Sequence, residues 1–491
     1  MLLPICVVRA EKVSGMNVSD DTASPGLKKT LGPVTLWGLG VGYVISGEYF
    51  GWNLGLPAGG TLGMLVAFVL VSLMYVTFVF SYTEMACAIP RAGGVFVYGV
   101  RGLGLLGGYL GGLAQLIEFV FAPPAIAMAL ASYAQAVWPE VDARYLALAA
   151  FLIFTLLNIW GVQQAAVFEL VVAGIAVSGL LLFAVLAVPH FQWSQFSAHG
   201  WPHGWSGVFA SLPFAIWFYL AIEGVANAAE EARDPQRDVA IGFGSAILTL
   251  VVLAGSVLFL APGIGGWEQI VYAPTDLIET DTGGLLVADG AQALDNPLPL
   301  AARQFMGTDR VWYRLLVGIG VLGLVASLNG IILVAGRSLF EMGRVGFLPR
   351  LIGKSHPRVQ TPVAALLLNL LIGCLSIMFL DTAKLITMSA IGATMLYVVS
   401  MCALIRLRKV EPDLARPFRT PCYPVFPLVA MLLAAIAFAT MVYLEFDRRH
   451  PWSSISVWYF GFIGVALLYY GLVLRRRLTP QDFSHFHRVD S

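Results

Sequence analysis

Three glutamates lie inside long apolar stretches of the sequence. They are Glu48, Glu118 and Glu223. A carboxylate near the centre of a bilayer costs ~2.5 kcal/mol or more unless it is paired or lies beside water. Carboxyl groups in such places bind a cation, hold a proton or hydrogen bond across helices. We therefore take the three as candidate ligands of a small cation, and a buried structural hydrogen bond is the alternative for each.

Two of these glutamates have glycines close beside them. Glu48 lies in the run Leu39–Gly51, which contains four glycines, and Glu223 directly precedes Gly224. Each glycine inside a helix costs ~1 kcal/mol relative to alanine. Polar and helix-breaking residues persist together at this depth where the backbone unwinds beside a cavity. The pattern predicts broken helices, and a glycine packing face between close helices is the alternative.

The two predicted breaks would expose the negative dipole ends of half-helices. These half-helices end near 44–46 and 219–221, and both favour a cation in the gap. Aromatic residues before the second break can form a cation–π wall, although lipid-facing or core packing is equally open for each. Gln115 lies one turn before Glu118 on the same helix face. The candidate binding residues are Ser46, Gly47, Glu48, Gln115, Glu118, Trp217, Phe218, Tyr219, Ala221 and Glu223.

The three glutamates are assigned different roles. Glu48 is the first choice for the partner of an ammonium group, and Glu223 stabilises the second break or is a second partner. Glu118 orients the site or holds a proton, so Glu118 and Glu223 are the candidate proton carriers. Glu84 and Glu169 lie near predicted helix ends, where we expect gate or scaffold ion pairs.

The sequence lacks a pattern that predicts an enzyme. It has no nucleophile–base pair, phosphate-binding loop or His/Cys/Asp/Glu cluster at one consistent depth. The five cysteines are an odd number, and three of them lie in or near apolar runs, so no disulfide framework is expected. We expect neither a metal nor a cofactor.

The amino-acid composition indicates what kind of protein positions these residues. The 491 residues are 58% hydrophobic and only 12% charged, with no net charge. Soluble domains have about 25% charged residues, so a soluble enzyme, a disordered chain and a nucleic-acid binder are excluded. The mean hydropathy of +0.80 predicts a polytopic membrane protein.

Apolar runs of about 20 residues predict twelve membrane helices. Most of the 29 Lys and Arg residues fall in alternate loops, which predicts that both termini are cytoplasmic in a cell membrane. A single transmembrane domain, 32–476, lies between cytoplasmic tails 1–31 and 477–491. The predicted spans are 33–57, 62–86, 106–136, 145–163, 167–188, 207–229, 238–261, 312–341, 362–380, 383–405, 423–444 and 455–474.

The spacing of the two breaks predicts an internal repeat. Spans 1 and 6 are five helices apart, so each opens a five-helix unit, and the second unit enters the membrane from the opposite side. The units cover about 32–190 and 205–407, and two additional helices cover 423–475. Paired broken helices in an inverted repeat indicate the binding site of a secondary transporter.

Several loop motifs resemble a known superfamily. They are Tyr82–Glu84 with Ile89–Tyr98, Asn227–Arg237, Gly343–Pro349 and His356–Arg358. These stretches resemble the amino acid–polyamine–organocation (APC) superfamily of carriers over nearly the whole chain. Within it, Gly42–Trp52, Leu116–Met128 and Trp217–Glu231 look most like the ethanolamine permease family. The resemblance implies a leucine-transporter-like fold that imports ethanolamine or a related small amine by alternating access.

One departure from the superfamily bears on the substrate. Amino acid carriers typically have Gly-x-Gly in the span 1 break, whose amides bind a carboxylate, whereas this chain has Ser46-Gly47-Glu48. A glutamate there would repel a carboxylate and attract an ammonium. The alternative is an amino acid permease working as a proton symporter or exchanger. Some proton-coupled members have a lysine in span 5, but the corresponding residue here is Ala176, so coupling stays open.

A different class of function also stays open from the sequence, namely a sensor or channel on a carrier-like fold. A sensor would be expected to have a cytoplasmic signalling domain, and no stretch of this sequence predicts one. A channel would show flux without saturation.

Overall fold

The computed structural model describes residues 30–91, 93–135, 140–161, 166–279, 285–308, 310–359, 361–447 and 449–478. Nearly all of the two predicted tails lies outside the described residues. The described part is helical, with one short antiparallel hairpin in the long loop after residue 265. Its strands are β1 (Leu277–Glu279) and β2 (Leu285–Val287).

The first half of the chain contains the helices α1 to α8. They are α1 (Pro33–Val44), α2 (Ser46–Tyr49), α3 (Leu56–Ala88), α4 (Val95–Leu103), α5 (Leu105–Gln135), α6 (Ala143–Ile159), α7 (Ala166–Ala187) and α8 (Trp193–Ser197). Short 3₁₀ segments cover Trp52–Gly55 and Val188–His190.

The second half contains eleven further α-helical segments among the described residues. They are α9 (Gly204–Ala210), α10 (Leu212–Trp217), α11 (Pro235–Leu260), α12 (Pro262–Gly265), α13 (Pro297–Met306), α14 (Val311–Val345), α15 (Val363–Phe379), α16 (Thr382–Val410), α17 (Val425–Leu444), α18 (Ile455–Tyr469) and α19 (Arg475–Arg477). The 3₁₀ segments are Ile222–Glu231, Glu268–Ile270, Pro274–Asp276 and Pro451–Ser453, and a π-helical turn covers Tyr470–Leu474.

Nine helical stretches in the described residues are long and apolar enough to cross a membrane. Three shorter apolar helices, α1, α6 and α15, occupy the positions of the remaining predicted spans. The protein is therefore a multi-pass membrane protein by length and composition. The count of twelve spans and the inverted repeat stay predictions.

Both helices that were predicted to break are interrupted. In the first, α1 ends at Val44, and the chain later turns extended at Phe50 (φ −158°, ψ 172°) and reaches φ 90° at Gly51. In the second, α10 ends at Trp217, and Ala221 adopts the left-handed conformation (φ 76°, ψ 7°) before the 3₁₀ segment Ile222–Glu231. A left-handed alanine is strained, and such strain is found where the surroundings hold it in place.

The interrupted helices lie inside the bundle. α1 packs against α11, α7 and α14, whereas α5 packs against α16, α14, α4 and α6. α17 and α18 are the least buried of the long apolar helices. Their exposed apolar side chains are those expected at a lipid-facing surface. The unwound backbone is thus surrounded by protein, one of the two settings in which non-helical backbone is tolerated at membrane depth.

Candidate functional site

Glu48 occupies the short helix α2, between a one-residue turn at Ile45 with helical torsion angles and the non-helical backbone of Phe50 and Gly51. Its side chain is 0% exposed, and neither carboxyl oxygen has a hydrogen-bond partner. The Tyr49 hydroxyl donates to the Ala176 carbonyl at 2.7 Å and not to Glu48. The backbone carbonyl of Glu48 accepts a hydrogen bond from Trp52 Nε1 at 3.2 Å. The backbone of Glu48 is therefore fixed, while its two carboxyl oxygens have free bonding capacity.

Side chains from other helices take up backbone carbonyls of the first interruption. Ser327 Oγ on α14 donates to the Tyr43 carbonyl at 2.7 Å and lies 2.8 Å from Ser46 Oγ. Tyr133 on α5 donates its hydroxyl to the Tyr49 carbonyl at 2.9 Å. An unpaired backbone carbonyl in a membrane interior costs several kcal/mol, so these bonds allow the helix to stay interrupted.

The second interruption is held by Glu118. The backbone N–H of Ala221 donates to Glu118 Oε1 at 3.1 Å. Glu118 is itself 0% exposed, and its carbonyl accepts a hydrogen bond from Ser389 Oγ at 2.6 Å. The amide N–H that the left-handed turn frees is therefore already hydrogen-bonded to a carboxyl group of the protein.

Glu118 and Glu223 form a pair. Their buried carboxyl groups are close enough to interact electrostatically. Tyr397 donates its hydroxyl to Glu223 Oε2 at 3.3 Å, whereas Glu118 Oε2 and Glu223 Oε1 have no hydrogen-bond partner. Two buried carboxylates in the same place repel each other when both are ionised, which favours one proton held by the pair. The Tyr397 hydroxyl also lies 2.8 Å from that of Tyr75, which connects the pair to α3.

The three aromatic residues before the second interruption differ in placement. Trp217 packs edge-on against Phe50 with ring centroids 5.3 Å apart, and its buried Nε1 has no partner. Phe218 stacks on Trp52 at 6.0 Å. The Tyr219 hydroxyl lies 2.6 Å from Ser72 Oγ.

Trp217 also approaches the first interruption through its backbone. A Cβ on Gly47 would overlap the Trp217 carbonyl, so only glycine allows α2 to lie against the end of α10. This contact is why Gly47, Glu48 and the aromatic residues meet, although they are far apart in the sequence.

Gln115 lies apart from Glu48. Its Nε2 donates to Ser338 Oγ at 2.9 Å, and it lines a small cavity together with Asn227, Arg337 and Glu341. Sequence reasoning missed four residues that complete the site. They are Tyr397, Tyr75, Ser327 and Ser72, whose residue types are common in apolar helices and gave no signal.

The three glutamates have no cationic partner. None of the ion pairs between described residues includes Glu48, Glu118 or Glu223. No group of three or more metal-ligating side chains occurs within the described ranges. With exposures of 0%, 0% and 3%, the carboxyls are closed off from both faces in this conformation.

An open cavity of about 800 Å³ lies at the face formed by the long loop. Asp142, Asp295, Asp381 and Arg144 contribute its charged lining. Thr382 Oγ1 donates to Asp295 Oδ2 at 2.6 Å. Burial raises the pKa of Asp295 to about 7, and the nearby Asp381 adds to this shift.

The two other glutamates behave differently. Glu84 forms the predicted ion pairs, with Arg408 Nη2 at 2.5 Å and Arg416 Nε at 3.3 Å. For Glu169 the prediction of an ion pair is wrong, because it is 1% exposed and both carboxyl oxygens lack a partner. The close packing of α1 and α14 around it, which the sequence did not indicate, excludes a basic side chain.

Comparison with known proteins agrees with this geometry. The profile of the amino acid permease family matches residues 31–468. An uncharacterized transporter of Rhizobium meliloti (strain 1021) is 27% identical over 439 residues, 85% of this chain and 89% of that protein. The methylthioribose transporter of Bacillus subtilis (strain 168) is 26% identical over 472 residues, 88% of this chain and 96% of that protein.

A third relative is the branched-chain amino acid permease BcaP of Bacillus subtilis (strain 168). It is 25% identical over 470 residues, which cover 90% of this chain and 94% of that protein. The family is one of transporters and not of enzymes. Because the profile spans most of the chain and the relatives align over nearly their full lengths, this protein belongs to the amino acid permease family of the APC superfamily.

Proposed function

We propose that this transporter imports ethanolamine or a closely related small cationic amine across the cell membrane by alternating access. The observation that carries the proposal is the Glu48 carboxyl, which is fully buried, lacks a cationic partner and has both oxygens unbonded. A buried carboxylate is stable only when it is neutralised or hydrogen-bonded. An ammonium group supplies both its charge and its donors.

The surroundings of Glu48 favour an ammonium group as well. Tyr49 follows Glu48 directly in α2, and Trp217 packs against the same segment at Gly47. Aromatic faces attract cations by about 0.5–2 kcal/mol, more when water is excluded. The unpartnered Nε1 of Trp217 is a donor that a substrate hydroxyl, such as that of ethanolamine, would satisfy.

The second interruption disfavours a substrate carboxylate. Its freed amide, Ala221 N–H, already donates to Glu118. A substrate carboxylate would have to displace Glu118 and would then lie near Glu223. Repulsion between like charges in a buried site makes this arrangement unfavourable.

The Glu118–Glu223 pair supports a role in coupling. A proton held by the pair would be kept or released as the site changes conformation, which makes the pair a candidate proton carrier. Gln115 binds Ser338 and has a more remote role, in the path between the site and the predicted cytoplasmic face.

An amino acid permease is the second candidate. The observation that favours it is the set of relatives, because the matched family is named for amino acids and BcaP is named a branched-chain amino acid permease. In that case Glu48 binds the ammonium group of the amino acid, and its carboxylate finds donors elsewhere.

Uptake by proteoliposomes tests the proposal. Labelled ethanolamine should enter with saturation, excess small amines should compete, and zwitterionic amino acids should not. Glu48→Gln removes a buried charge pair worth about 2–5 kcal/mol, which predicts a loss of substrate affinity of at least about 30-fold. Glu279→Gln, an exposed glutamate of β1, is the matched control and should transport normally.

Three results would count against the proposal. Competition by amino acids alone would favour the second candidate. Flux without saturation would indicate a channel. Unchanged affinity in the Glu48→Gln variant would remove this residue from the site.

A further inference from the structure

Glu169 is a second buried acid in the described part of the protein whose carboxyl group has no partner. It lies in the first turn of α7, 1% of it is exposed, and neither carboxyl oxygen has a hydrogen-bond partner. The function proposed above gives it no role. An ionised carboxylate that is buried without donors or a cation costs several kcal/mol. In this closed conformation, Glu169 therefore carries a proton.

The enclosure of Glu169 is built by two other helices. A Cβ on Gly42 of α1 would overlap Glu169 Oε1, and a Cβ on Gly330 of α14 would lie 3.8 Å from it. Gly42 therefore has to be glycine for the carboxyl to fit, whereas Gly330 is in ordinary contact with Glu169 and is restricted by the Tyr43 ring, 2.9 Å from its Cβ position. Gly42 lies two residues before the end of α1, so Glu169 is covered by the segment that precedes the interruption.

The groups that face Glu169 do not neutralise it. Tyr43 of α1 interacts with it electrostatically and also with Arg337 of α14 and with Glu231. Arg337 lies 4.0 Å from Glu231 and makes no ion pair with Glu169. α11 also packs on α7, and its first-turn acid, Asp238, accepts a hydrogen bond from the Asp234 N–H.

The position of Glu169 in α7 makes release of the proton feasible. It is the fourth residue of a helix that begins at Ala166, close to the predicted cytoplasmic face. The positive end of a helix stabilises a carboxylate by about 0.3–1 kcal/mol, or up to ~2 kcal/mol when partly buried. A small separation of α1 and α14 from α7 would bring water to the carboxyl, and water would accept its proton.

We propose that Glu169 is a proton-binding site of the transport cycle, which is loaded when α1 and α14 close on α7 and emptied to water when they separate. This inference rests on the proposed transport function. It adds a proton site that is separate from the Glu118–Glu223 pair, on a different helix. Its substrate is the proton alone, so no group other than water is needed to balance the step.

The test compares two modes of transport in proteoliposomes. Counterflow at equal pH exchanges substrate and needs no net proton movement, whereas accumulation under an imposed inward proton gradient does. Glu169→Gln should keep counterflow within about twofold of the wild type and lose at least about tenfold in accumulation. Glu279→Gln, exposed on β1, should resemble the wild type in both modes.

The outcomes separate this inference from the proposed function. The inference is overturned if the Glu169→Gln variant accumulates substrate as well as the wild type does. It is also overturned if the folded variant loses both counterflow and accumulation. If the wild-type protein shows counterflow but its accumulation does not respond to the proton gradient, the inference is overturned and the transport function stands. Absence of wild-type counterflow with every amine and amino acid tried refutes the transport function itself.

A conservative variant keeps the inference testable if Glu169→Gln does not fold. Glu169→Asp keeps a titratable carboxyl but withdraws it from Gly42 and Gly330 by about one methylene. It should accumulate substrate with the midpoint of the pH profile moved by at least about half a unit. An unchanged midpoint would refute a role for Glu169 in proton binding.

Discussion

Replacement of Glu84 is the sharpest test of the packing at the predicted cytoplasmic end of the bundle. The Glu84 carboxylate accepts hydrogen bonds from Arg408 Nε at 2.8 Å and Nη2 at 2.5 Å, and also pairs with Arg416. The backbone N–H and hydroxyl of Thr420 both donate to its Oε2 at 2.7 Å. One carboxylate thus joins α3, α16 and the loop that follows α16.

The cost of Glu84→Gln follows from these contacts. Glu84 is 1% exposed, so the ion pair is buried, and removal of one partner of a buried pair costs about 3–5 kcal/mol. Glutamine keeps one acceptor oxygen for Thr420, so we expect the lower end, about 3 kcal/mol. One kcal/mol lowers Tm by about 2–4 °C in chains of 150–250 residues and by less in longer ones. A decrease of roughly 3–5 °C is therefore expected for this chain.

Asp381→Asn is the matched control. Asp381 pairs with Lys384 at 3.0 Å, but both side chains are about half exposed, and such pairs contribute about 0–1 kcal/mol. Asparagine also preserves the cap that Asp381 forms on α16. Thermal unfolding of the purified protein in detergent measures both variants. A Glu84→Gln variant that unfolds within about 1 °C of the control would refute the estimated energy of this ion pair.

The remaining predictions concern three other contacts. Ser327→Ala leaves the Tyr43 carbonyl unpaired, so it should lower the free energy of unfolding by about 1–3 kcal/mol, measured by thermal unfolding. Ser178→Ala is the control, because Ser178 is exposed on α7 and its replacement should leave the stability unchanged. Tyr397→Phe removes the hydrogen bond to Glu223 and should lower kcat/KM for uptake about tenfold, while equal uptake would make that bond incidental. Asp295 binds its proton in the folded state up to a pKa of about 7 but in the unfolded state only up to its ordinary 3.8, so the wild type loses stability as pH rises between these values. Asp295→Asn should therefore stabilise the protein most at pH 8 and hardly at pH 4, and a gain independent of pH would contradict the assignment.

The sequence alone determined the class of the protein and which two helices are interrupted, although the first departs from helical geometry at Phe50 and Gly51 and not at the predicted 44–46. Apolar runs of bilayer length leave helices as the only way to pair the backbone, so the helical architecture follows from composition. The interruptions were equally readable, because glycine and glutamate at mid-helix depth are unfavourable in a regular buried helix. The ion pairs of Glu84 were expected for the same kind of reason, since a buried acid needs a partner.

Only the tertiary structure decided which of these residues meet. The bond from Ala221 N–H to Glu118 and the pairing of Glu118 with Glu223 join residues on different helices, and their contact depends on how the helices pack. Glu169 shows that helix packing also decides which expected contacts do not form. The sequence predicted an ion pair for it, but α1 and α14 close over it at Gly42 and Gly330 and leave it without one. The sequence shows where a charged group would be costly in free energy. Only the helix packing determines which group neutralises that charge.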